Sequence, residues 1–459
     1  MNQADTANSR SASLKRILGL SSGSSFFAQS LINQLGVIAF LLLHIPLGIV
    51  FKNTETLSTI HAFSVIGITI VIALSSSPIS WVAYLMAYIV GAEVLWRMTG
   101  ASIQWEVGKY AVVLAVLLVV LRIRNLRIPL LPIIYILLLA PSSFMVLLEK
   151  GLSNAQSDLS FNLSGPLALF AVTCFFSNIR LDQKQFQYLL IAIIAPIISI
   201  ASISLQGIIV NPNIVWTRSS NPVTSGGFGP NQVSAALGLG LLCAWLIFFT
   251  VKHPIIPRFL TVALAMWLAT QALLTFSRGG FIGALVGIGA SVVVAMVNRI
   301  VTLKMIVFTI AGFVLFIAFF YPQIDAFTGG ALTGRYSNLS DTTGRDRIAE
   351  DEIQAFWDNP LWGVGPGQLN QITWDNQPAH TEYTRLLAEH GIFGLLALGS
   401  LGLMGVMAYL KSQKQKTAQM IIIACMFWVL FYLSNVAMRT VAVSFIFGLV
   451  FVDFSNDFE

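Results

Sequence analysis

At 459 residues, 56% hydrophobic and only 10% charged, with a mean hydropathy of +0.79, the chain is too apolar for a soluble domain, in which about a quarter of residues are charged. Its net charge of +6 is not gathered on one basic face, which argues against nucleic acid as a partner. The three cysteines (Cys174, Cys243, Cys425) lie in apolar stretches without disulfide or metal-ligand spacing and read as small buried hydrophobes.

In chain order, the N-terminus is polar through Ser25 and lacks the apolar core and cleavage site of a removable signal peptide. Crossing a bilayer takes about 20 apolar residues per helix. Fourteen stretches qualify: 31–51, 57–76, 79–97, 105–121, 128–148, 160–178, 186–209, 230–250, 257–275, 279–297, 302–321, 391–410, 418–436 and 440–454. The expected fold is all-α and polytopic, with a transmembrane bundle over 1–321, a polar loop over 322–390 containing short amphipathic helices, and C-terminal spans over 391–459.

Placing the N-terminus in the cytoplasm puts Arg10, Lys15 and Arg16, then Arg122, Arg124 and Arg127, then Arg180 and Lys184 on the inner side. Lys252 and Arg258, Arg299 and Lys304, and Lys411, Lys414 and Lys416 follow on that side, satisfying the positive-inside rule loop after loop. Both termini are then cytoplasmic and the 322–390 loop is extracytoplasmic. Seven arginines fall on the outer side: Arg218, Arg278, Arg335, Arg345, Arg347, Arg385 and Arg439. Snorkelling or solvation accounts for any one of them. Together they point to an anionic, phosphate-bearing lipid, because guanidinium stays charged near hydrocarbon and grips phosphate bidentately.

Four segments carry candidate chemistry. Asn221–Gln232 (NPVTSGGFGPNQ) is a turn-rich outer loop, and Asn231 at the mouth of the next span suits either helix capping or hydrogen bonds to sugar hydroxyls. Thr275–Gly280 (TFSRGG) joins two spans with almost no loop and places Ser277 and Arg278 at a helix start with free amides. Gly344–Gly367 (GRDRIAEDEIQAFWDNPLWGVGPG) reads as an amphipathic surface helix entered near Thr343. Ile348, Ile353, Phe356 and Trp357 recur at helical spacing, and Asp346, Glu350, Asp351 and Glu352 take the other faces. Its glycines follow no strand, so a dinucleotide-binding turn is discounted. Last, His380 and Tyr383 share one face of a helical reading, near Arg385, Glu389 and His390. An imidazole titrating near neutrality is the natural acceptor for an alcohol proton, although a solvated loop histidine is the commoner case. His380 and His390 have no third ligand at zinc spacing, so no metal site is expected.

In order, Pro230-Asn-Gln at a span start, Ser277-Arg-Gly, the Gly344–Gly367 run, His380 and Leu386–Gly394 (LLAEHGIFG) resemble the bacterial O-antigen ligase family. That family includes O-antigen and exopolysaccharide polymerases and protein O-oligosaccharyltransferases. The resemblance covers Gly229 to Gly394; Thr381 stands where the family usually has Asn, and fourteen spans exceed the usual twelve. It implies a GT-C-like inner-membrane enzyme, active on the periplasmic side, that transfers a glycan from undecaprenyl diphosphate with inversion and without a metal or other cofactor. By position, His380 matches the family's loop histidine, Arg278 its Ser-Arg-Gly arginine and Arg345 the arginine that heads its amphipathic helix; the expected roles are base for His380 and diphosphate clamp for Arg278 and Arg345. Arg218, Asn231, Ser277, Arg347, Tyr383, Arg385 and Arg439 are substrate-binding candidates. The implied partners are the lipid-linked donor, a glycan or lipid acceptor (lipid A–core for a ligase) and membrane lipids. A polymerase would take a second lipid-linked glycan and a protein glycosyltransferase a peptide. A transporter fits less well: charged groups inside the spans are few (Glu93, Glu106, Lys109), and a position near the outer interface accounts for them.

Overall fold

The computed structural model describes residues 22–123, 126–298, 303–337, 344–435 and 437–455. The basic residues Arg10, Lys15, Arg16, Arg124 and Arg299 and the expected helix start at Thr343 lie outside the described residues, as does the polar stretch through Ser21. The apolar runs form helices because hydrocarbon offers backbone amides no partner, so each span must satisfy its own.

The spans are α1 (Ser22–Asn53), α2 (Glu55–Leu74), α3 (Ile79–Met98), α4 (Val107–Val120), α5 (Leu130–Phe176), α6 (Gln183–Val210), α7 (Pro230–Thr250), α8 (Arg258–Leu274), α9 (Arg278–Val297) and α10 (Leu303–Leu315). A π turn at Phe316–Phe320 carries α10 into α11 (Tyr321–Phe327). The segment between α11 and α14 holds α12 (Ala331–Ser337) and α13 (Arg345–Asp358); α14 (Glu382–Lys411), α15 (Lys416–Leu433) and α16 (Val441–Leu449) return to the bundle. Among the described residues, 10 helices are long and apolar enough to cross a membrane, and α4 and α8 are shorter apolar helices. Three differences from the sequence reading have local causes. The fifth and sixth segments join in the 47-residue α5, broken at Gly151 (φ 72°). The last segment shrinks to the wholly buried α16. The eleventh continues through α11 beyond residue 321.

At the centre lie α6 and α7, each with 83% of its apolar window buried, whereas α2 shows Phe63, Ile68 and Val71 to the outside, as a lipid-facing helix should. Close approach needs small residues: a Cβ on Gly280 of α9 would lie 1.8 Å from the Ser234 carbonyl oxygen of α7. At one end of the bundle, Arg122 donates to the Ser77 carbonyl at 2.8 Å, Lys416 to the Asn298 carbonyl at 3.0 Å, and strand Arg180–Leu181 pairs in parallel with Asp453–Phe454. The other end gathers the 211–229 loop, the α8–α9 turn, α12, α13, the turn at 377–381 and residues 434–435 and 437–440. The two sets of loops assigned by charge to opposite sides thus sit at opposite ends of one bundle.

Candidate functional site

The α8–α9 turn has almost no slack, and its backbone shows it. Phe276 is fully buried at φ 56°, a left-handed conformation rare for a bulky residue. It is held from several directions: the Asn221 amide donates to the Thr275 carbonyl at 3.1 Å, Thr224 donates to Leu274 at 2.6 Å, and Arg335 Nε donates to the Phe276 carbonyl at 3.1 Å. Ser277 stands at the N-cap position of α9, but its hydroxyl donates to Asn231 Oδ1 at 2.8 Å instead of capping, tying α7 to α9. Arg278 is thereby fixed as the first residue of α9, where free amides already favour an anion.

Arg345 begins α13, after Gly344 at φ 82°, and its Nη1 reaches Asn435 Oδ1 at 3.4 Å. A Cβ on Gly279 would lie 3.6 Å from that same oxygen, so Arg345 stands beside the start of α9. Burial lowers its pKa, and three further guanidiniums, Arg278, Arg335 and Arg439, lower it more. Arg439 donates to the Ala379 carbonyl at 2.7 Å and to Pro378 at 3.4 Å, gripping the turn that carries His380. His380 is partly buried there. Burial, then Arg439 and Arg345, depress its imidazole to about 4, so it is neutral at ordinary pH. The structure therefore brings His380, Arg278, Arg335, Arg345 and Arg439 to one end of the bundle.

Several sequence candidates stand elsewhere. His380 precedes α14 instead of sharing a face with Tyr383; Thr381 is the N-cap, accepting from the Thr384 amide at 3.1 Å. The Tyr383 hydroxyl donates to the Leu430 carbonyl at 2.9 Å, because α15 packs there. Arg385 is buried between Glu382 and Glu389 of its own helix, 2.6 Å from the latter, and also donates to Asn162 Oδ1 of α5 at 3.3 Å. Arg347 is exposed and lies over the Trp374 ring at 5.7 Å. Arg218 is exposed against α12, where a Cβ on Gly334 would meet its Nε at 2.7 Å. Helix α13 also departs from expectation: Ile348, Glu352 and Ala355 face the protein, while Ile353 and Trp357 are exposed. Glu352 sits on the packed face because Thr384 supplies its hydrogen bond.

Two residues that sequence reasoning passed over shape the site. Arg97 ends α3 and was hidden by its membership of a span. It donates to Glu93 at 2.6 Å, to Gln232 and the Trp105 carbonyl at 2.8 Å, and to the Arg439 carbonyl at 3.1 Å. Glu93 also accepts from the Val441 amide at 2.7 Å, so this pair braces the turn that bears Arg439. Arg335 was visible as an outer arginine but had no motif to assign it. Its burial at 7% exposure against Phe276 depends on α12 folding back.

Below Arg278, α7, α8, α9 and α10 enclose a cavity of about 180 Å³ lined almost wholly by apolar groups, including Trp245, Phe249, Met266, Phe281, Leu285 and Phe316. Phe281 is three residues into α9 and contacts Tyr336 of α12 at 6.5 Å between ring centres. The cavity thus approaches the cluster through Phe281 and extends past Phe249 and Thr261 toward the remote ends of α7 and α8.

Residues 263–399 match the family model described as O-antigen ligase. The matched segment runs from α8 into α14 and contains Arg278, Arg335, Arg345 and His380; Asn231 and Arg439 lie outside it. No curated protein matches the chain.

Proposed function

We propose, from the premise that this chain belongs to the O-antigen ligase family and is a membrane glycosyltransferase of ligase or polymerase type, that it transfers a glycan from undecaprenyl diphosphate to an acceptor hydroxyl. The reading rests above all on Arg345, a half-buried guanidinium held among three others, next to His380 and near an apolar groove. Guanidiniums drawn this close together favour an anionic ligand, and a diphosphate carried on an isoprenoid tail has both the charge and the apolar body.

In this reading the tail occupies the α7–α10 groove and the diphosphate lies against Arg278, Arg345 and Arg439, with Arg335 behind. The neutral His380 accepts the acceptor's hydroxyl proton as the oxygen attacks the anomeric carbon. The bond from that carbon to the phosphate oxygen breaks on the opposite face, and its electron pair leaves with undecaprenyl diphosphate. The guanidiniums offset the charge growing on the leaving oxygen. Inversion follows from the single displacement. Asn231 and Ser277 act through α9, holding Arg278 in place. The site lies on the periplasmic side of the inner membrane, and the acceptor of a ligase is lipid A–core.

The test is transfer by purified protein from undecaprenyl-diphosphate glycan to lipid A–core, to a second lipid-linked glycan and to peptide, supplied separately and read by mass. His380→Ala and Arg278→Ala are expected to accumulate in the membrane and to lose transfer, by at least about 100-fold for the base. Near-normal transfer by both variants would disprove these roles. Mass gained by the second glycan or by peptide instead would identify a polymerase or a protein glycosyltransferase.

A further inference from the structure

The contact between α13 and α14 contains an acid where packing alone would place a hydrocarbon. Glu352 has 0% exposure and lies between Ile348 and Ala355 on the face of α13 that meets α14. One carboxylate oxygen accepts from the Thr384 hydroxyl; the other is buried without a hydrogen-bond partner among the described residues. Leaving such an oxygen unsatisfied costs stability that an apolar side chain would not. Burial pushes the carboxyl up to about 7 against the Thr384 hydrogen bond, with Glu389, Arg385 and Glu382 of α14 also facing it and Arg439 within its field. Protonated or ionised, it keeps an oxygen that accepts from Thr384.

The contact leads directly to the site. The Thr384 hydroxyl is 2.7 Å from that of Thr381, and Thr381 is both the N-cap of α14 and the residue after His380. About two turns before Glu352, the same helix begins with Arg345. Glu352, Thr384 and Thr381 therefore link the helix that carries the guanidinium to the turn that carries the imidazole. Arg439 also holds that turn, through the Ala379 carbonyl, and the Thr373 hydroxyl donates to the Gln377 carbonyl at 2.6 Å.

We propose that Glu352 is a positioning residue, fastening α13 to the start of α14 through Thr384 so that Arg345 and His380 face one donor at a fixed separation. The proposal rests on the reading that these two residues act together. Displacement of about 1 Å in such a pair is enough for a loss of about 100-fold. Little of that loss belongs in donor binding, because the other guanidiniums still hold the diphosphate.

The experiment measures kcat and donor KM for Glu352→Ala, Glu352→Gln, Thr384→Val, Thr384→Ser and the double variant Glu352→Ala/Thr384→Val, with thermal midpoints in detergent and His380→Ala alongside. Expected are kcat losses of about 10- to 100-fold in Glu352→Ala and Thr384→Val, with KM within about threefold. Glu352→Gln and Thr384→Ser, which keep the acceptor and the hydroxyl, should recover most of kcat. The double variant should be no worse than the worse single one, as for two ends of one contact. If Glu352→Ala does not accumulate, the Thr384 pair decides, since valine and serine differ there in the hydroxyl. Losses confined to thermal midpoint and yield, with kcat per folded molecule unchanged, would overturn the proposal while an inactive His380→Ala left the functional reading standing. An active His380→Ala would remove the role of His380 as base, and this proposal with it.

Discussion

His380 sits beside two guanidiniums that disfavour its protonated form, and this has a kinetic consequence. With its pKa depressed to about 4 from an ordinary 6.5, the free imidazole stays unprotonated from neutrality down to that pH. A bound diphosphate cancels the field of Arg345 and Arg439, so the pKa rises on donor binding and the base strengthens where it is needed. The acid limb of kcat/KM is therefore expected near pH 4, and that of kcat at higher pH but still below 6.5, because burial, the larger cause of the shift, remains. Initial rates across pH at low and saturating donor check this; coincident limbs would mean that the guanidiniums do not touch the donor. Arg345→Lys keeps the charge but loses the planar fork. Its transfer rate is expected to fall at least about tenfold with unchanged accumulation, about the worth of one charge-assisted hydrogen bond. The sequence disclosed these residue types and, through the charge pattern, grouped them on one side. It did not disclose that Arg385 is absorbed by Glu382 and Glu389, because one helix turn shows neighbours without showing which way they point.

At the scale of elements, the site is set by two close approaches that only glycine permits. The first is the α7–α9 crossing, where Gly280→Ala would drive a methyl to 1.8 Å from the Ser234 carbonyl oxygen. The helices must separate, and overpacking of this kind costs about 1–3 kcal/mol. Transfer should fall with the thermal midpoint, since the Ser277–Asn231 bond lies at the same crossing. The second is the loop of Gly363, Gly365 and Gly367, all at positive φ, which wraps the break in α14 at Gly391. The amides of Val364 and Gly365 donate to the Ala388 and Glu389 carbonyls at 2.8 and 3.0 Å, while Gly367 donates to the Glu389 side chain at 2.8 Å. Gly363→Ala is expected to lower the thermal midpoint sharply, because its Cβ would lie 2.4 Å from the Glu389 carbonyl carbon. Gly399→Ala, inside α14 with nothing within 4 Å, should raise it, as alanine is about 1 kcal/mol the better helix former. The glycine spacing was legible as a loop, but its target was not, because residues 363 and 389 meet only after α13 folds back.

Across the whole molecule, the charge pattern and the bundle agree on which loops share an end, and the orientation itself is open to a direct check. The three native cysteines are buried and offer little background to a thiol probe. In spheroplasts, a membrane-impermeant maleimide should label Thr217→Cys and should spare Gln413→Cys until the membrane is opened; both positions are exposed at opposite ends. The opposite pattern would invert the topology and remove the periplasmic site. Composition and 20-residue apolar runs determined by themselves that the chain is a helical membrane protein, because hydrocarbon leaves the backbone no alternative. They also marked the 322–390 segment as polar and gave most of its cations, though Arg97, inside an apolar run, was passed over. Tertiary structure alone decided which cations meet. Arg97 and Arg439 are joined across residues 97 and 439, Arg335 reaches the site by the return of α12, and Glu352 faces inward because Thr384 waits there. Such contacts depend on packing between segments distant in the chain, and no local periodicity encodes them.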